Sequence, residues 1–181
     1  LRHKRHGVLA VIAPHVMRPR APADHIVPAL LAGNGVLFKP SEKVSATGEF
    51  LVGLLREAGV IDDLIQCDIG GPDAGKALVA DDAVRGILFT GSTQNGVAIA
   101  RACAARPGKL AALELSGNNP IIAWDTPDIA SSAALIVQSA FGAGGQHCLS
   151  ARRLILRDTL AEPLIEEIKA IEDNAEAATF E

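Results

Sequence analysis

Short apolar, β-branched runs alternate along this chain with longer segments of helical period. Gly7 to Ala13 is a continuous apolar run of strand length. Asp24 to Ala32 has helical spacing and is closed by Gly33, Asn34 and Gly35, after which Val36 to Phe38 reads as a strand. Ala46, Phe50, Leu51, Leu54 and Leu55 recur at three- and four-residue steps, one face of a helix that ends at Gly59. Leu64 to Cys67 is the next strand, Gly70 to Gly75 a turn, and Ala77 to Val79 part of a short helix. Gly86 to Phe89 is a strand, Thr93 to Ala105 a helix rich in small residues, and Leu110 to Leu115 another strand. Beyond Pro120, Ile121 to Trp124 is a short strand and Asp128 to Phe141 a helix. A glycine-rich loop, Gly142 to Cys148, precedes an alternating strand at Arg152 to Arg157 and a helix at Leu160 to Ile171. The acidic tail, Glu172 to Glu181, is poor in large apolar residues and is expected to be loose.

Strand–helix units joined by short Gly/Pro connections predict an α/β fold: a parallel sheet with helices on both faces. Connections in such units are right-handed, so ligands gather beyond the carboxyl ends of the strands. Lys39, Gly91, Ser92 and Glu114 then share one rim, because each follows or ends a strand. The texture changes near Gly117 to Pro120. The expected division is one domain over residues 1–117, the start of a second α/β lobe over 118–171, and a tail over 172–181.

A length of 181 residues suffices for one good core or two small lobes, and 49% hydrophobic residues with positive mean hydropathy mark a folded protein. Aromatic residues amount to 3% and include no Tyr, which argues against a base-stacking surface. With a net charge of −4 and scattered basic residues there is no phosphate-tracking stripe, so a small molecule rather than nucleic acid is the expected partner. The basic start followed by an apolar run has the outline of a signal peptide. The run stops at Pro14 and His15 without a small-residue cleavage site, which favours a buried strand. No apolar stretch approaches the ~20 residues of a bilayer span. Cys67, Cys103 and Cys148 show neither CxxC nor His-rich spacing, so no disulfide framework and no metal are expected, and a cytoplasmic setting fits. A first residue of Leu fits a piece of a longer chain.

Four segments carry candidate chemistry. Phe89 to Gly96 follows a strand and opens a helix. Gly91 lets a backbone approach a pyrophosphate, the helix N-terminus offers N–H groups, and the Ser92 hydroxyl adds a donor. On that segment alone an ordinary turn and N-cap is the favoured account. Lys39 and Glu42, with Ser41 between, put a cation and a carboxylate three residues apart at a strand's end. That pair suits the hydroxyls of an adenosine ribose, and a carboxylate there repels a 2′-phosphate; the alternative is a surface ion pair worth about 0–1 kcal/mol. Glu114 interrupts an apolar strand, so it is either a carboxylate tuned for general-base work or an edge residue pointing to water. Cys148 ends the glycine-rich loop. Surrounding backbone N–H groups would favour its thiolate and hold an oxyanion, whereas Cys67 and Cys103 read as small core residues. His147 is adjacent, but neighbours in an extended segment point to opposite sides, which argues against a Cys–His dyad.

Taken together, four motifs resemble the aldehyde dehydrogenase superfamily in its own chain order: Phe38 to Glu42, Phe89 to Ser92, Leu113 to Pro120, and Gly145 to Cys148. The similarity extends over nearly all of Gly7 to Ile171. Residues His25 to Asn34, Gly117 to Pro120, Gln138 to Phe141 and Ala151 to Arg153 look most like the branch that oxidises succinylglutamate semialdehyde in arginine degradation. The resemblance implies a Rossmann-like cofactor sheet followed by the start of a catalytic lobe, and NAD as cofactor rather than NADP. It implies an aldehyde as substrate, Cys148 as nucleophile and Glu114 as base. Lys39, Ser41 and Glu42 would lie at the ribose, and Gly91 and Ser92 at the pyrophosphate. Two departures accompany it. Val16 stands where the family has an Asn that completes the oxyanion site, and one such donor is typically worth about 3–4 kcal/mol. The chain is also well under half of a family member. Three functions therefore stand side by side: an NAD-dependent aldehyde oxidation, a remnant with partial dinucleotide binding and no turnover, and a subunit pairing with copies of itself or a full-length relative.

Overall fold

The computed structural model describes residues 4–16 and 19–174. They divide into two compact units, residues 1–116 and 117–181. The first holds five parallel strands in the order β3-β2-β1-β4-β5: β1 (Val8–Ile12), β2 (Gly35–Lys39), β3 (Ile65–Cys67), β4 (Val84–Gly91) and β5 (Leu110–Leu115). Between them run α1 (Arg20–Leu31), α2 (Ser45–Glu57), α3 (Pro72–Ala80) and α4 (Thr93–Ala104). The second unit has a parallel pair, β6 (Asn119–Ala123) and β7 (Ala151–Leu156), with α5 (Ile129–Phe141) and α6 (Asp158–Asn174).

Period-two alternation sends the two faces of the first sheet into two cores. Leu9, Val11, Val36, Phe38 and Leu88 meet Ile26 and Ala29 of α1 and Leu51 and Val52 of α2. Ala10, Ile87 and Phe89 meet Leu78 and Val79 of α3 and Ile99 and Cys103 of α4. Burying apolar area on both sides explains why β1 and β4 read as unbroken apolar runs. In the second unit Ala133, Ile136 and Leu164 are buried with Ile121, Ala123 and Leu156 around them.

Chain order reverses across the β1–β4 junction, since β2 and β3 build outward on one side and β4 and β5 on the other. That junction is the switch point at which an open α/β sheet leaves a crevice beyond its strand ends. Three local expectations change. Residues Pro72 to Gly75, expected in a turn, form the start of α3, because Pro72 at its first position needs no N–H partner and brings a helical φ. Helix α6 runs to Asn174, so the first part of the expected loose tail is helical; residues 175–181 lie outside the described residues. His147 and Cys148 lie in a turn, in which the Ser150 N–H donates to the His147 carbonyl at 3.1 Å, and not in an extended segment. The side-opposition argument about His147 therefore loses its premise.

Candidate active site

Lys39 ends β2 with its side chain buried, at 4% exposure, so it is not a surface cation. Its Nζ donates to the Pro40 carbonyl at 3.0 Å and faces Glu42 at 3.7 Å. A buried ammonium requires such partners, and the residue opposite is the exposed end of the pair. A backbone hydrogen bond at Glu42 itself, with the charges of Lys39 and Lys43, holds the Glu42 carboxyl below its usual range. Ser41 caps the short turn Glu42–Val44 by accepting from the Lys43 N–H at 3.4 Å. Beside this strand end lies a shallow apolar hollow lined by Pro14, Pro22, Phe38, Pro40 and Gly48.

At the switch point, Ser92 is the N-cap of α4 and its hydroxyl oxygen accepts from the Asn95 N–H at 3.3 Å. Accepting leaves the hydroxyl proton free to donate, so cap and ligand donor coexist in one side chain. The first-turn N–H groups of Thr93 and Gln94 have no acceptor within a helix. Gly91 serves packing as well: a Cβ there would stand 2.6 Å from the Phe89 ring. Gly96 is tighter, since its Cβ would lie 2.3 Å from a Leu115 methyl carbon, so α4 seats directly on β5.

Glu114 is exposed, and β5 is the edge strand of this sheet, with Leu110 and Ala111 exposed too. The apolar neighbours Leu113 and Leu115 are partly buried against the core under α3 and α4, while Glu114 between them is open to water. Exposure is compatible with either alternative, since a base that activates water must reach it. Glu114 pairs in register with Thr90 on β4, and Thr90 Oγ1 lies 2.9 Å from His25 Nε2 of α1. Neither His25 nor Thr90 was singled out by the sequence patterns, although His25 opens the run that closes at Asn34.

Cys148 belongs to the second unit and is an exposed free thiol. After α5 the backbone turns through left-handed conformations at Ala143 (φ 54°), Gly144 (φ 64°) and Gly145 (φ 67°). Ala143 is the only residue other than glycine in that region among the described residues, a cost of roughly 1–2 kcal/mol. Arg152 Nη2 donates to the Gly145 carbonyl at 2.7 Å, and Asn119 Nδ2 donates to the Cys148 carbonyl at 2.6 Å. A Cβ at Gly117 would lie 2.8 Å from Asn119 Nδ2 and 3.0 Å from the Cys148 carbonyl oxygen. Gly117, Asn119 and Arg152 thus fix the thiol-bearing turn from β6 and β7; they were visible in the sequence only as family texture. Burial and the nearby Glu49 and Asp68 carboxylates push the Cys67 thiol up, and Cys103 is packed in a core. Among the described residues no group of three or more His, Cys, Asp or Glu could hold a metal ion.

Residues 1–176 match the model of the aldehyde dehydrogenase family. The chain is 54% identical over 171 residues to an N-succinylglutamate 5-semialdehyde dehydrogenase of Sphingopyxis alaskensis, covering 94% of this chain and 36% of that relative. Among solved structures it is similar to an NAD-dependent aldehyde dehydrogenase from Sinorhizobium meliloti, with a TM-score of 0.89, 30% identity, and 94% of this chain and 34% of the other covered. A Thermus 1-pyrroline-5-carboxylate dehydrogenase with bound NAD gives a TM-score of 0.87 and 31% identity, over 94% of this chain and 34% of its own. The chain thus spans about a third of the length of these relatives. On the match of sequence and fold together, this chain belongs to the aldehyde dehydrogenase family.

Proposed function

We propose that this chain carries the nucleophile, the base and one rim of the cofactor site of an NAD-dependent aldehyde oxidation. The observation that carries the reading is the rim at the switch point, where Lys39 with Glu42 and Gly91 with Ser92 stand at the carboxyl ends of β2 and β4, the two strands that flank β1. On this reading residues 1–116 are part of a dinucleotide-binding domain and the second unit begins a catalytic lobe. Lys39 and Glu42 hold the adenosine ribose hydroxyls, with Ser41 setting the turn between them. The open N–H groups at the start of α4, the Gly91 backbone and the Ser92 hydroxyl face the pyrophosphate. Glu42, held anionic, repels a 2′-phosphate and selects NAD over NADP. Bound there, the dinucleotide supplies the two-electron acceptor.

The chain's own residues do the rest. The Cys148 thiolate forms a bond to the aldehyde carbon, the carbonyl electron pair becomes an oxyanion, and the Cys148 N–H donates to it. Once the carbon stands at the thioester level, Glu114 takes a proton from water. The hydroxide adds to the acyl carbon, the carbon–sulfur bond breaks, and carboxylate and thiolate separate. Succinylglutamate semialdehyde is the substrate that the relatives' name supports.

Val16 favours a second reading, dinucleotide binding without turnover, because an isopropyl group donates nothing to an oxyanion. NAD reduction by the purified protein with succinylglutamate semialdehyde, beside a Cys148→Ala variant, separates the two. Cys148-dependent turnover supports the enzyme. Thermal stabilisation by NAD without turnover supports the binding module, and the absence of both turnover and stabilisation would overturn this functional reading.

A further inference from the structure

We propose that His25 is the proton-sharing partner of Glu114, held beside it by Thr90. The placement follows from parity and register. Leu88 of β4 and Ala112 of β5 pack in the core under α1 and α2, so Thr90 and Glu114, two residues further along each strand, point to that same face. They are direct partners in the parallel ladder, and neighbouring strands lie only about 4.8 Å apart. His25 descends onto this pair from α1, one residue before the fully buried Ile26, and its Nε2 meets Thr90 Oγ1 at 2.9 Å. A residue 65 positions away in sequence is thereby anchored to the strand beside Glu114.

The charges around the imidazole are few. Burial lowers the His25 pKa; Glu114 is the larger of the two neighbouring charges that raise it, and Asp24 the smaller. Asp24 is engaged by Arg20 on the same helix at 3.7 Å, and β4 presents only the neutral Thr90. The imidazole is therefore biased neutral, with one carboxylate from the adjacent strand positioned to stabilise its protonated form. In the tautomer whose Nε2–H donates to Thr90 Oγ1, Nδ1 is the nitrogen left to take up a proton.

The use of this pair rests on the reading of Glu114 as the base. When Glu114 has taken a proton from water it is a neutral acid and must be reset. Passing that proton to neutral His25 yields a carboxylate and an imidazolium, with no change in total charge, and the imidazolium releases the proton to solvent. His25 is on this account a positioning residue that acts through Glu114, and a merely structural role would end at the Thr90 bond.

The deciding experiment follows the ring carbons of the five histidines by NMR across pH, with His25 assigned from its loss in His25→Gln. In Glu114→Gln the His25 midpoint falls and the other midpoints stay. In Thr90→Val the response to Glu114→Gln shrinks, and Thr90→Ser restores it. An unchanged His25 midpoint in Glu114→Gln overturns the proposal, whatever the protein's activity. Hydrolysis of 4-nitrophenyl acetate then reads the function without a cofactor, as a Cys148-dependent burst followed by slow thioester hydrolysis. His25→Gln lowers the slow phase several-fold and removes its rise with pH through the imidazole range; a slow phase with its pH profile intact also overturns the proposal. Absence of any Cys148-dependent burst instead sinks the enzyme reading, while the titration still decides the His25–Glu114 pair.

Discussion

Asn34 offers the sharpest test of how the first sheet is held in register. It is a polar residue at 3% exposure, just before β2. Its Oδ1 accepts from the His6 N–H at 2.7 Å and the Gly7 N–H at 3.1 Å, and its Nδ2 donates to the Ala29 carbonyl at 3.0 Å. One side chain therefore ties the entry of β1 to the end of α1 and the start of β2. Asn34→Ala removes three bonds at once. The Ala29 carbonyl keeps a partner, because the Asn34 backbone N–H also donates to it at 3.1 Å. The His6 and Gly7 amides keep none of the acceptor they lose. Each net bond is worth about 0.5–1.5 kcal/mol, with the higher figures where a donor is left unsatisfied. The expected loss is about 2–3 kcal/mol, roughly a 30- to 150-fold shift in the folding equilibrium. Urea unfolding followed by far-ultraviolet circular dichroism measures it, and amide exchange at Gly7 localises it. The Ala13 amide, bonded to the Lys39 carbonyl at 3.1 Å, is the internal control. A loss under about 0.5 kcal/mol, with the Gly7 amide still protected, would refute the account.

Three further outcomes follow. Gly96→Ala forces a methyl against Leu115 and costs about 1–3 kcal/mol in the same urea assay, and Leu115→Ala recovers part of that loss in the double variant. Under limiting iodoacetamide near neutral pH, peptide mapping finds Cys148 alkylated first. Cys103 is packed away, and the raised Cys67 pKa leaves less thiolate there. Asp128 caps α5 through Ser131, whose hydroxyl and then N–H hold its carboxyl below the usual range. The sign is that of a depressed acid: its contribution is present above the unfolded value near 3.8 and is lost as pH falls through the lower folded value. Asp128→Asn keeps a capping oxygen and flattens that acid loss in a pH series of urea midpoints.

How much was legible in the sequence follows from where each signal resides. The strands and helices were readable because apolar runs and helical periods are local, and the rim of Lys39, Gly91 and Ser92 was readable because strand ends are local too. Strand order is not local. The run from Leu110 to Leu115 carries the same apolar lettering as β1, yet β1 lies between two strands and β5 has one neighbour. Glu114 stands on that one-neighbour strand and is exposed. Lys39 shows the reverse case. A surface ion pair was one of two accounts of Lys39, but Gly75 of α3 has no side chain, and the Lys39 stem runs close over it, 3.6 Å from where a Cβ would be. The contacts beside the proposed reactive groups join residues far apart in sequence, His25 with Thr90 at 65 residues and Asn119 with Cys148 at 29.

These distant contacts share a form that bears on how the family chemistry could be built. In each, a rigid element donates one side chain to fix a group at the end of another: Asn119 at the edge of β6 holds the Cys148 carbonyl, and His25 on α1 holds Thr90. The groups proposed to react, the Cys148 thiol and the Glu114 carboxylate, are left exposed. Holding the backbone and the neighbour rather than the reacting atom satisfies two demands at once. A nucleophile or base tied up in its own strong hydrogen bonds would lose basicity, whereas an untethered turn would lose aim. Clamps that act one bond away from the chemistry meet both, and they are invisible to any motif that records only the reacting residue.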